Sequence, residues 1–107
     1  MSKIARVWMD QIPSSRVEEY LSYVEKTGVK DLLATPQNEG VLLLKRTDRN
    51  VTELSIISFW ESLTAIQEFA GNDIRRAVYY PEDHKFLLKM DPELNHYKIH
   101  LAKGIKF

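Results

Sequence analysis

Polar and apolar positions alternate along residues 3 to 12, which predicts a β-strand. Ile4, Arg6, Trp8 and Asp10 then share one face, and Ala5, Val7, Met9 and Gln11 the other. After Ile12-Pro13-Ser14 the period changes. Val17, Tyr20, Leu21 and Val24 fit the apolar stripe of a helix. Ser15 with Glu18 three residues on predicts a capping box, and Gly28 a C-terminal stop. Val29 to Ala34 adds a helical turn that Pro36 ends. Residues 37 to 40 form a turn. The unbroken run Val41-Leu42-Leu43-Leu44 predicts a strand buried on both faces. Thr47 to Asn50 is a hairpin loop, and Val51 to Trp60 returns as a third strand. Leu54, Ile56, Ser58 and Trp60 share one of its faces, and Ser55, Ile57 and Phe59 the other.

A second helix begins at the cap Ser62 and stops at Gly71, burying Leu63, Ile66, Phe69 and Ala70. Asp73 is expected to cap a further short helix with Ile74, Ala77 and Val78 inward. That helix runs to Tyr79, Tyr80 and Pro81. A following turn carries Phe86, Leu87 and Met90 and is broken by Asp91-Pro92. Residues 94 to 101 make the last strand, with His96 and His100 on one face, and the tail 103–107 is expected to fray. The order β-α-β-β-α-β predicts an α+β fold, a ferredoxin-like split βαβ with an antiparallel sheet and helices on one face only. Val7, Met9, Ile57, Phe59, Ile99 and Leu101 then form an apolar open face. A face of that character implies a homodimer whose sheets close on each other.

Composition narrows the function. The chain has 107 residues, the size of one domain, with 44% hydrophobic and 28% charged residues. Fifteen basic residues balance fifteen acidic ones, which argues against a nucleic-acid or anionic-membrane partner. There is no cysteine, so disulfides, thiolate catalysis and zinc-thiolate sites are excluded. The first residues lack a secretory leader's apolar run, and no segment reaches the ~20 apolar residues of a membrane span. A cytoplasmic location is the expectation. His96 and His100 are four apart on a strand, roughly 13 Å, too far to share one metal ion. No Gly-rich phosphate loop or G-x-S-x-G elbow is present.

Several residues carry candidate chemistry. Trp60 ends a strand where a helix begins, so it either stacks on a flat ligand or fills the core. Arg6, beside Trp8, is a cavity cation suited to an enolate oxygen, or an edge arginine paired with Glu53 or Asp10. His84 is the general-base candidate on intrinsic pKa, or a solvated residue between Asp83 and Lys85. Tyr79 and Tyr80 either hydrogen-bond a substrate oxygen or pack on the last strand.

The run F-W-E-S-L-T-A-I-Q-E-F-A-G, then D-I-R-R-A-V-Y-Y-P-E-D, then F-L-L and H-Y-K-I, resembles the antibiotic biosynthesis monooxygenase family. The likeness spans roughly residues 4 to 101. It implies a dimeric α+β barrel and, in characterised branches, oxidation of a small aromatic compound. Some members use O₂ with no metal or flavin, and others degrade haem. Trp60 matches the tryptophan that ends strand three in the cofactor-free branch, and Ile56 stands where that branch has asparagine. The haem branch has asparagine, tryptophan and histidine where this chain has Arg6, Phe69 and Tyr79. The resemblance therefore implies a cofactor-independent monooxygenase acting on a small aromatic or quinol-like compound, with no cofactor and no metal. His84, Arg6 and Tyr80 would be catalytic, and Trp60, Trp8, Tyr79, Ile56 and Phe69 would hold the substrate. A non-catalytic small-molecule-binding homodimer of the same fold is the alternative.

Overall fold

The computed structural model describes residues 3–107. Four strands form one antiparallel sheet: β1 (Ile4–Pro13), β2 (Asn38–Asp48), β3 (Val51–Trp60) and β4 (Asn95–Lys98), in the order β2-β3-β1-β4. Helices α1 (Val17–Val24), α2 (Lys30–Ala34) and α3 (Leu63–Ala70) complete the β-α-β-β-α-β order. This is the ferredoxin-like α+β arrangement. β3 pairs with β1 from Ile4↔Trp60 to Pro13↔Val51, so the inward faces of both central strands coincide. Their apolar members, Ile4, Ile12, Leu54, Ile56 and Trp60, join Tyr20, Val24 and Ile66 in one core.

The polypeptide departs from several local expectations. Ser15 and Glu18 form no capping box. Ser14 to Arg16 is a single 3₁₀ turn, and Ser14 Oγ instead meets Thr52 Oγ1 at 3.0 Å. The 3₁₀ turn moves the start of α1 to Val17 with Arg16 at its cap position, so Ser15 lies outside it. Gly28 does not stop the helix. It lies in a π-helical turn, Glu25–Val29, that joins α1 to α2 without a break. Thr35 turns extended before Pro36, and there the helix ends as expected.

Ser62 caps α3 by accepting from the Ala65 N–H at 3.2 Å, and Gly71 ends it with φ 85°. Ile66 is buried and Phe69 and Ala70 pack against the core, but Leu63 is exposed. The strand run 41–44 is not buried on both faces. β2 is an edge strand, so Val41 and Leu43 reach the core while Leu44 points outward to solvent. The final strand is shorter than expected, four residues rather than eight.

The largest difference lies between Gly71 and Leu94. The short helix expected after Asp73 is absent. Asp73 instead closes a turn, its Oδ1 accepting from Arg75 N–H at 3.2 Å. The chain beyond it pairs with residues 92–94: Ala77 N–H donates to Pro92 C=O at 2.9 Å and Leu94 N–H to Arg75 C=O at 2.8 Å. Those carbonyls and amides are thereby withdrawn from any helical ladder. Farther on, Asp83–Lys85 forms a 3₁₀ turn that buries Phe86 and Leu87 behind it.

The helices cover one sheet face. On the other, Val7, Ile57, Phe59 and Ile99 are only partly covered, and Met9 and Leu101 are 47% and 67% exposed. Among the described residues no helix is long and apolar enough to cross a membrane.

Trp60 is wholly buried, its Nε1–H donating to Ser58 Oγ at 2.8 Å and its ring centroid 6.4 Å from that of Phe69. Removing a core tryptophan costs roughly 3–5 kcal/mol. We expect Trp60→Ala to lose about that much stability in a denaturant melt; a loss under about 1 kcal/mol would mean the indole does not carry core packing.

Candidate functional site

The inward face of β1 carries two charges where a core strand ordinarily carries hydrocarbon. Arg6 and Asp10 are 3% and 2% exposed. They lie either side of Trp8, and each binds the backbone of the irregular segment after α3. Arg6 takes its carbonyls: Nη1–H donates to Ile74 C=O at 2.5 Å and Nη2–H to Arg76 C=O at 2.9 Å. Asp10 takes its amides, accepting from Lys89 N–H at 3.0 Å and Met90 N–H at 2.9 Å. A cation at one end and an anion at the other thus hang the segment across the sheet.

Between these ties lies a cavity. The sheet contributes Arg6, Trp8, Ile56 and Ser58 to its wall. The helical layer contributes Tyr20, Val24, Gly28, Leu32 and Phe69. Val78, Tyr80, Asp83 and Leu94 close it from the irregular segment. Its volume is about 50 Å³, and one water needs roughly 10–15 Å³ by that measure. Phe69, Val78 and Tyr80 also line a wider outer cleft of about 480 Å³, whose rim includes Asp31 and Glu68. A small polar group fits the inner cavity, and the cleft has room for the body of a ligand.

Electrostatics at the inner end are unusual. Burial brings Arg6 down to about 10, so the guanidinium keeps its charge at neutral pH. Neither Glu53 nor Asp10 pairs with it, and among the described residues no carboxylate lies in ion-pair range. Its third partner is His96, with Nε2 2.9 Å from Nη1. Burial, with the Arg6 charge added, holds that imidazole down to about 4. His96 is therefore neutral and accepts from Arg6. The Phe69 ring lies 5.7 Å from the guanidinium carbon, a cation–π distance. All these partners are neutral, so none of them cancels the guanidinium charge. The Trp8 Nε1–H is also buried without an acceptor among the described residues. It lies near the Tyr79 phenol, which burial raises against the opposing effect of that N–H, but falls short of hydrogen-bond geometry.

Across the cavity sits Asp83, 3% exposed. Its Oδ1 accepts from the Tyr20 hydroxyl at 3.0 Å and its Oδ2 from Tyr80 N–H at 2.7 Å. Burial pushes this carboxyl up, against the effect of those donors. Tyr80 Oη donates to Asp31 Oδ2 at 2.7 Å, joining the irregular segment to α2 across the rim. Burial, then that carboxylate, raises the Tyr80 phenol far above its ordinary value. Its hydroxyl is thus a committed donor, and the ring faces the cavity.

Of the residues singled out from the sequence, Arg6, Trp8, Ile56, Phe69 and Tyr80 meet at this cavity. Three lie elsewhere. Trp60 stands behind Ser58 in the core. Tyr79 is not part of the cavity lining and donates its hydroxyl to Asp91 C=O, 2.5 Å away. His84 is exposed on the 3₁₀ turn, because Asp83 takes the inward position beside it. Asp83, Tyr20, Ser58 and His96 were missed as site residues. Only Ser58 carried a signal, a polar residue at an inward position of β3 where alternation demands an apolar one.

An imidazole with a folded pKa of about 4 and an ordinary value of 6.5 binds its proton first in the unfolded chain. The stability it supports is full above pH 6.5 and drains away as pH falls toward 4. Asp83, pushed up, acts in the opposite sense: its contribution is greatest in acid and is lost as pH rises through its folded value. His96→Gln keeps an acceptor for Arg6 but has no proton to gain. Denaturant melts across that window should show a shallower acid loss for His96→Gln than for wild type; equal slopes would place His96 outside this linkage.

No family model matches the sequence, and no curated protein matches it. Solved structures do. One is a Bacillus cereus protein provisionally assigned as an antibiotic biosynthesis monooxygenase, 10% identical, with a TM-score of 0.67 over 98% of this chain and 100% of that one. Another is a Nitrosomonas europaea protein of unknown function, 13% identical, with a TM-score of 0.63 over 100% of this chain and 98% of that one. At these identities the likeness is one of fold: the chain adopts the α+β sheet-and-helix architecture of these proteins from end to end.

Proposed function

We propose that the chain binds a small aromatic or quinol-like compound in the cavity beside Arg6 and oxidises it with O₂, as a cofactor-independent monooxygenase. The observation that carries this reading is the buried guanidinium with no carboxylate partner. A hydroxyaromatic ligand supplies the missing anion once ionised, and its ring lies against Trp8, Phe69 and Tyr80. Charge develops on the ligand oxygen as the phenol becomes a phenolate, and a prepositioned cation stabilises that change. The ionised ring is electron-rich at carbon and reduces O₂ there. One oxygen atom enters the ring and the other leaves as water. Phenol plus O₂ to quinone plus water balances without another reductant. The fold neighbour provisionally assigned as an antibiotic biosynthesis monooxygenase supports the reading.

The alternative is a binding homodimer of the same fold without turnover. Ile56, an apolar residue on the cavity wall where the resembled cofactor-free enzymes carry asparagine, favours it. Oxygen consumption during aerobic incubation with a panel of phenols and quinols separates the two. Turnover is expected for wild type, and Arg6→Met should lower it by about 10²–10³-fold, the effect of removing one oxyanion donor. Wild-type protein that binds panel members but consumes no oxygen with any of them is the binding module.

We also propose that a second copy covers the open sheet face, since Met9, Leu44, Ile57 and Phe59 present a contiguous apolar strip there. Light scattering should give a dimer at micromolar concentration. Phe59→Glu, which points away from the core, should give a folded monomer; a wild-type monomer would remove the proposal.

A further inference from the structure

Resting on that reading of the cavity, we propose that Asp83 is the site's proton acceptor. A hydroxyaromatic ligand enters neutral, passes its proton to the Asp83 carboxylate, and leaves its oxygen anion with Arg6. Arg6 and Asp83 are the only charged residues lining the inner cavity among the described residues. Neither has an ion-pair partner, and each Asp83 oxygen keeps a lone pair beyond its one bond from Tyr20 or Tyr80. Before transfer the negative charge sits on a carboxylate with no cation beside it. After transfer it sits on a phenolate beside Arg6, and the cavity's net charge is unchanged. The O–H bond of the ligand breaks, the electron pair stays on its oxygen, and an O–H bond forms at Asp83.

Other bases are occupied or absent. The His96 nitrogen that faces the site accepts from Arg6. The hydroxyls of Tyr20 and Tyr80 are donors to Asp83 and Asp31. The carboxylate of Asp10 is held by backbone amides of residues 11, 89 and 90. His84 is exposed outside the lining. The groups facing Asp83 are Tyr20 from α1, Asp10 from β1, and Tyr80 and His84 on its own segment; burial, with Asp10, raises its proton affinity, against Tyr80, Tyr20 and His84, which lower it. The approach agrees with neutral entry, because Asp31 and Glu68 stand at the rim of the outer cleft and disfavour a ligand already ionised.

Asp83 also orders its own turn through Tyr80 N–H, so the test must separate that role from proton transfer. Asp83→Asn can still accept from Tyr80 N–H and can donate to the Tyr20 oxygen. The probe is 4-nitrophenol, whose anion is yellow and whose neutral form is not, titrated without oxygen at mildly acidic pH. Wild type should bind it as the anion. A probe that is neutral in solution and bound as the anion should release no proton to the buffer from wild type, and about one per bound anion from Asp83→Asn. Arg6→Met should lose binding. Proton release from wild type equal to that from Asp83→Asn overturns the role of Asp83 and leaves the cavity reading standing. Absent binding, or binding indifferent to Arg6, removes both. Should Asp83→Asn fail to fold, infrared difference spectra of wild type decide: probe binding must convert one carboxylate band into a protonated carboxyl band, and its failure to appear overturns the proposal.

Discussion

Arg6 holds together three parts of the molecule that would otherwise have little reason to meet. Its guanidinium, planted on β1, gathers the Ile74 and Arg76 carbonyls and the His96 imidazole from β4. Burying an ion carries an effective penalty of several kcal/mol. Hydrogen bonds to a charged group return roughly 1.5–3 kcal/mol each. Three such bonds to neutral acceptors can offset the desolvation, but they supply no opposite charge. The site is stable enough to form and still electrically incomplete. That combination is what distinguishes it from an ordinary core ion pair.

The same strand solves the complementary problem with Asp10. Peptide groups offer a donor and an acceptor, and an irregular segment leaves both in need of partners. One charge of each sign on a single strand face satisfies them in turn. The segment from Gly71 to Leu94 can therefore cross the sheet without regular structure and still be anchored at both ends. Its central part, Val78 to Asp83, is left as a wall that stands clear of the sheet, and the cavity is the gap so produced. Apolar packing seals the two ends of the sheet, with Ile12 and Leu54 at one and Ile4 and Trp60 at the other.

Much of this architecture is legible in the residues. The strand bounds of β3, the cap at Ser62 and the stop at Gly71 follow from period and local chemistry, because each depends on neighbours in sequence. The residues after Asp73 defeat the same reasoning. Their helical spacing is real, but pairing with residues 92–94 and capture by Arg6 are long-range and leave no local mark. Ser15 and Glu18 fail likewise, since the 3₁₀ turn over Ser14–Arg16 moves the helix start past Ser15. At the site, Arg6 and Trp8 were legible as neighbours on a strand face. Asp83 was hidden beside His84, whose intrinsic pKa draws attention to chemistry that burial assigns to the carboxylate next door.

The π-helical turn at Gly28 places one residue without a side chain against the Tyr80 ring. A methyl group there would stand 3.6 Å from the ring's Cε2 and 3.8 Å from Val24 Cγ2, which is ordinary contact; any larger side chain must displace one of them. Tyr80 is shared by the inner cavity and the outer cleft, so it forms part of the sill between them. The bore of the passage is thus governed from the helix by a single position that bonds neither charged group. Selection on ligand girth can proceed at residue 28 while the electrostatics of Arg6 and Asp83 stay as they are.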